Sequence, residues 1–199
     1  MNAQETSNVI KLVAPDKSGG QPTMKAFAKR HSVREFAPEA LKAKDHSTLL
    51  WATDGINRPS SGMRTAPSAM NKQDVDVYVV LPQGAYLYNA KEHALHLIAK
   101  GDYRADVAGA QEAVKTAPLF LVYVSDPSRF GTHVPAEAGR TMGCIDIGIV
   151  VENACLACSS LGLSVVPRAT MNQTQLKQVL KLKDTEILGM NTPVGYPKK

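Results

Sequence analysis

The sequence predicts an α+β domain, and three stretches carry that expectation. Residues 76–82, DVYVVLP, and the run from Gly84, GAYLYNA, are strand-like and meet across Pro82, Gln83 and Gly84 as a hairpin. Residues 117–126, APLFLVYVSD, give the strongest strand signal, and their unbroken apolar run predicts a central strand. Residues 143–163, GCIDIGIVVENACLACSSLGL, are too long for a strand and carry only two acidic groups, Asp146 and Glu152. Apolar groups recur there at Ile145, Ile149, Ala154, Leu156, Ala157 and Leu161, so the stretch predicts a helix with little polar surface, closed by Gly162. Its charges argue against a membrane span and for burial, within one chain or against a second copy. Helices and strands alternate irregularly around it, which favours α+β over a doubly wound sheet.

The remaining elements follow in order. Residues 1–21 are polar, end in DKSGGQP, and predict a flexible arm that docks loosely; residues 22–199 form one domain. A helix starts near Pro22, with Met24, Phe27 and Ala28 on one side. Asp45 or Ser47 caps a second, over TLLWATDGI, with Leu49, Leu50 and Ala52 inward and Gly55 at its end. Residues 57–73 predict a long loop, which a compact domain seldom keeps without a use. Residues 90–99 and 106–115 predict short helices, and the central helix begins as early as Glu137. A short strand or extended turn covers 163–169, Asn172 caps a helix over QTQLKQVLKL, and a last strand and tail close the chain.

Composition bounds the function. The chain has 199 residues, 44% apolar and 21% charged, enough for one well-buried domain. A net charge of +5 suits a phosphate-bearing ligand. The basic residues lack the long runs and interleaved aromatics of nucleic-acid binders, so no nucleic-acid partner is expected. Three cysteines, Cys144, Cys155 and Cys158, give no disulfide scaffold. Cys155 and Cys158 have metal-like spacing but fall on the apolar helix without further ligands, and His93 and His96 likewise lack partners, so no metal site is expected. Ser68 with His31 lacks the acid and the nucleophile elbow of a hydrolase. No dinucleotide or Walker fingerprint occurs. The start shows no apolar signal segment; a cytoplasmic location is expected, with a removed export signal left open.

Three polar stretches are candidates for chemistry: residues 30–34, 64–73 and 193–199. Arg30 and Arg34 share a helical face or converge from a bend, and paired guanidinium forks suit phosphate; the alternative is a solvated basic turn. Ser68 and Asn71 can bond ring amides and carbonyls while Pro67 stiffens the backbone; the alternative is a structured turn.

These segments resemble the FMN-dependent nitroreductase family. RHSVREF is similar to its Arg-x-Ser-x-Arg-x-Phe opening, RTAPSAMNKQ to its Ala-Pro-Ser-Ala-x-Asn-x-Gln segment, SSLGLSVVP to its Leu-Gly-Leu region, and PVGYP to its closing signature. The four occur in family order over nearly the whole chain, and GINRPSSGMRTAPSA also resembles the azoline dehydrogenase branch. The resemblance implies a mixed, mainly antiparallel sheet flanked by helices in an intertwined homodimer, with FMN at the interface. It implies FMN contacts from Arg30, His31, Ser32, Arg34 and Arg64, and from Pro67, Ser68, Ala69 and Asn71 of the partner subunit. Val165, Val166 and Pro167 lie over the ring, and Lys198 or Lys199 replaces the arginine of the family's longer tail. The implied activity is NADH- or NADPH-driven reduction of nitroaromatics, quinones or related small electron acceptors by a ping-pong mechanism, the flavin itself performing the chemistry. Azoline oxidation in peptide maturation and FMN storage or sensing are the alternatives.

Overall fold

The computed structural model describes residues 8–198, so the first seven residues of the expected arm and Lys199 lie outside the described residues. The fold is built on β7 (Leu119–Ser125), in which every residue is buried. Side chains alternate along a strand, so its two faces feed two cores. Leu119, Leu121 and Tyr123 join one, Phe120, Val122 and Val124 the other. β4 (Val75–Leu81) repeats the division, with Val77 and Val79 on the first face and Tyr78 and Val80 on the second.

Around this pair, β1 (Val9–Lys11), β5 (Gly84–Asn89), β6 (Ala94–Lys100), β8 (Ser164–Val165) and β9 (Ile187–Gly195) complete a seven-stranded sheet. The order is β1-β6-β5-β4-β7-β9-β8, and each of these pairings is antiparallel. The first face is covered by α4 (Ala136–Leu161) and α2 (Ala43–Asp54), the second by α3 (Arg104–Ala108) and α5 (Gln173–Val179). Asn172 caps α5, its side chain accepting from the Gln175 N–H at 3.3 Å. This is the α+β architecture expected.

α4 is the long helix expected. Gly162 ends it in the left-handed region, φ 72°, and donates back to the Cys158 and Ser159 carbonyls. It is buried on one face only, through Gly143, Ile147, Val150, Val151, Ala154, Cys155 and Cys158, while Ile145 is 58% exposed. By length and composition alone it could cross a membrane. Here it lies against the sheet, and Asp146 and Glu152 interrupt it.

Several expectations need correction. Residues 90–99 are not helical. The Asn89 side chain accepts from the N–H groups of Lys91 and Glu92, both at 3.0 Å, and turns the chain into β6. The turn chemistry and the partners β5 and β1 override helical periodicity. α2 begins at Ala43 without a side-chain cap. Asp45 lies within it and accepts from the Tyr196 hydroxyl at 2.5 Å. His46, expected in a turn, is a buried α2 residue whose pKa desolvation lowers to about 4. Ser47 donates to the Val13 carbonyl and accepts from His93 Nε2 at 2.7 Å, so it is a strut rather than a cap. Residues 57–73 hold a short ribbon, β2 (Ile56–Arg58) with β3 (Met63–Arg64), and a 3-10 turn at Ala69–Asn71. In α1 (Thr23–Lys29) the buried residue is Ala26, and Met24, Phe27 and Ala28 are exposed.

The segment read as a loose arm is pinned from Asn8 onward. β1 pairs with β6, the Asp16 N–H donates to Thr48 Oγ1 at 2.9 Å, and the Gln21 N–H donates to the Ser160 carbonyl at 2.9 Å.

Gly143 sets how closely α4 approaches the sheet. A Cβ there falls on the buried Ser125 hydroxyl and 3.0 Å from its Cβ. Gly143→Ala is expected to cost about 1–3 kcal/mol through overpacking, read from the urea midpoint. An unchanged midpoint would show that the helix has room to shift.

Candidate functional site

The last turn of α4 organises one site. Ser159 Oγ donates to the Ala26 carbonyl at 2.7 Å and Ser160 Oγ to the Gln21 carbonyl at 2.8 Å, fixing α1 across the helix end. From Arg30 the chain leaves α1 extended, with ψ 121°. The Val33 N–H donates to the Val165 carbonyl at 2.9 Å, and Phe36 bridges to Pro197. Arg30 and Arg34 therefore converge from a bend rather than sharing a helical face.

These ties frame a cavity of about 600 Å³ lined by Gln21, residues 29–35, Ser159, residues 162–165, Pro197 and Lys198. Lys29, Arg30, Arg34 and Lys198 contribute four cations against one carboxylate, Glu35. His31 Nδ1 lies 2.7 Å from the Lys29 carbonyl. A carbonyl only accepts, so Nδ1 carries the hydrogen and Nε2 of the neutral ring is an acceptor. Of the expected site residues, the chain thus brings Arg30, His31, Ser32, Arg34, Val165 and Lys198 together.

Val166 and Pro167 do not line this cavity. The Val166 side chain is buried in the second core, and Pro167 is half-buried. Just beyond them, Arg168 donates to the Val107 and Ala108 carbonyls at the end of α3 and to Asn191 Oδ1 at 2.8 Å. That buried guanidinium holds the Val165–Val166 backbone in place.

The 64–73 segment lies elsewhere. The Ala69 N–H donates to Asp146 Oδ2 at 2.8 Å, near the first half of α4. At 1.5 Å rise per residue, Asp146 and Ser159 are roughly 20 Å apart along the helix. Within one chain, Arg64, Pro67, Ser68, Ala69 and Asn71 therefore do not join the cavity. Arg64 is occupied by Asp54, with Gln73 Oε1 a second acceptor at 3.1 Å. Burial lifts the Asp54 pKa to about 7, outweighing the pull of Arg64.

The histidines and cysteines have other partners. His93 bonds Ser47 and Tyr88, and His96 pairs with Glu92. Burial pushes the Cys155 thiol up to about 12 and Cys158 well above its ordinary value, which suits inert core groups. Among the described residues no group of three or more His, Cys, Asp or Glu is placed to hold a metal ion.

The sequence reading passed over Gln21, Lys29, Ser164 and Asp146. Lys29 adjoins the arginine motif and was within reach; the other three depend on tertiary placement.

Comparison with known proteins follows this geometry. A crystal structure from Ralstonia eutropha JMP134, of a protein provisionally named a nitroreductase, is 36% identical, covers 99% of this chain and 93% of its own, and superposes with a TM-score of 0.90. A protein from Methanocaldococcus jannaschii, likewise provisionally named a nitroreductase, is 28% identical over 84% of this chain and 87% of its own length. The FMN reductase [NAD(P)H] of Bacillus subtilis is 23% identical over 87% of this chain, which spans 65% of that protein. The Escherichia coli microcin synthetase McbBCD complex shares the fold at a TM-score of 0.74 and 16% identity, over 83% of this chain and 68% of that one. The sequence profile of the Nitroreductase family matches residues 27–196, and the chain belongs to that family.

Proposed function

We propose that this protein is an FMN-dependent oxidoreductase that takes electrons from NADH or NADPH and reduces nitroaromatic, quinone or related small acceptors as a homodimer. The carrying observation is the cationic cavity at the end of α4. Its volume of about 600 Å³ falls within the roughly 300–1,000 Å³ of small-molecule sites. Its donor set suits a phosphate-bearing ligand: two guanidinium forks, two ammonium groups and the Ser32 hydroxyl. Among the described residues neither Arg30 nor Arg34 makes an ion pair within the chain. The names of the Bacillus relative and of the Vibrio harveyi NADPH-flavin oxidoreductase, 24% identical, support a flavin and a nicotinamide reductant.

In this reading Arg30, Arg34 and Lys198 hold the phosphate, with Lys199 available beside them. Ser32 and His31 Nε2 contact the ribityl chain or ring edge, and the Val165–Pro167 backbone borders the ring. A bound flavin accepts two electrons and a proton equivalent from the nicotinamide and passes them to the acceptor. The chain's cations favour negative charge developing on the ring, an electrostatic arrangement fixed before reaction. Pro67, Ser68, Ala69 and Asn71, with Arg64 behind them, come from the second copy, whose α4 meets this one through the face bearing Ile145. That arrangement reunites the two halves of the motif set that one chain holds apart.

Three measurements test this. Arg30→Ala and Arg34→Ala are each expected to weaken FMN binding by roughly 1.5–3 kcal/mol, read by quenching of flavin fluorescence. Unchanged affinity in both would leave them on a solvated face. Ile145→Asp is expected to turn a sedimenting dimer into monomer, because an unpaired carboxylate would be buried at the interface; a persistent dimer would move the interface elsewhere. In anaerobic stopped flow, NADH or NADPH alone is expected to bleach the flavin band, more slowly in Asn71→Ala. Bleaching by neither nicotinamide would favour FMN storage or sensing, and bleaching only with acceptor present would remove the ping-pong order.

A further inference from the structure

The segment that the preceding proposal assigns to the partner's cavity has an unfavourable backbone. Met70, Asn71 and Gln73 have φ of 51°, 52° and 48°, in the left-handed region where a Cβ crowds the neighbouring carbonyl. The Gln73 N–H donates to Ser68 Oγ at 2.8 Å, but that bond is internal to the segment. Gln73 also reaches the β2–β3 ribbon through Arg64 and the Gly62 carbonyl. The tie to the central helix is the Ala69 N–H, donating to Asp146 Oδ2 at 2.8 Å.

Asp146 is 2% exposed, and its carboxyl meets that of Asp74, which is fully buried. Asp74 Oδ2 accepts from the Ser125 hydroxyl at 2.5 Å, whereas Oδ1 has no donor while both carboxyls are ionised. The surrounding charges are already committed. Asp54 of α2 takes Arg64 of β3, and Asp76 of β4 takes Arg129, which also lies 3.6 Å from Asp126. Arg129 acts on Asp74 only behind those two partners. Two adjacent buried carboxylates without a cation of their own do not both stay ionised. A proton on Asp146 supplies the donor that Asp74 Oδ1 lacks, and leaves Asp146 Oδ2 free to accept from Ala69.

We propose that Asp146 and Asp74 form a positioning pair that fixes residues 68–71 while sharing one proton and releases them when that proton is lost. Its effect on cofactor binding rests on the reading in which this segment faces the second copy's flavin cavity. Burial and the neighbouring Asp74 carboxyl raise the Asp146 pKa to about 6. A native pKa above the ordinary value means that the proton's contribution is present at acid pH and is lost as pH rises through that value. The segment is therefore held in mildly acid solution and loosened in alkaline solution. Asp146→Asn imitates the protonated form at every pH, because its amide donates to Asp74 and its carbonyl accepts from Ala69.

Amide hydrogen exchange of the 66–75 region, in full-length protein as purified and corrected for intrinsic chemical rates, separates the outcomes. Between about pH 5.5 and about pH 8, exchange in the unsubstituted protein is expected to rise about fivefold or more. In Asp146→Asn it is expected to stay slow at both, and in Asp146→Ala to be fast at both. FMN affinity on the same samples is expected to follow the exchange. If the unsubstituted protein and Asp146→Asn share one pH dependence, the pair is overturned, whatever FMN does, and whether or not Asp146→Ala folds. If exchange behaves as stated while FMN affinity ignores it, the pair stands and the placement of the segment at the flavin falls.

Discussion

The double-sided burial of β7 is the constraint on which the rest depends. A strand whose alternate residues enter two cores must be covered on both faces, and the covering on one face is a single 26-residue helix. That helix approaches the sheet closely because Gly143 offers no side chain there. Having packed against β7 and β9, α4 becomes a rigid bar with a different functional segment at each end. Ser159 and Ser160 hold α1 and the arginine-bearing bend at one end, and Asp146 holds the 68–71 segment towards the other. The separation of the two candidate regions in one chain is thus a consequence of helix rise, not of loop conformation.

Charge follows the same division. Lysine and arginine gather around the C-terminal end of α4, while Asp54, Asp74, Asp76 and Asp146 lie towards the other side of the molecule. The first group faces a cavity and is available to a ligand. The second is buried, matched in part by Arg64 and Arg129, and serves the fold. Net positive charge by itself would not have distinguished a binding site from a balanced interior; the geometry does.

Much of this was legible in the residues. The apolar run of β7, the hairpin across Gln83, the Gly162 stop and the Asn172 cap each depend on local chemistry, and each forms where that chemistry places it. The failures depend on partners distant in sequence. Residues 94–100 become a strand because β5 and β1 border them, although Leu95, Leu97 and Ile98 also fit a helix. Asp45 and Ser47 look like caps but serve Tyr196 and Val13, far along the chain. Arg30, Ser32 and Arg34 were recognisable from spacing, whereas Asp146 looked like a mere interruption of an apolar helix. Its role depends on Ala69 and Asp74, and spacing along α4 cannot reveal either.

The margins of the sheet carry a last consequence. β1 has three residues and β8 two, whereas the interior strands have six to nine. A long flat border would be a template on which other chains could add strands and aggregate, and brief borders suppress that route. Self-association is thereby steered away from extending the ladder and towards the helical surface, where contacts are made by side chains and a closed, countable assembly can form.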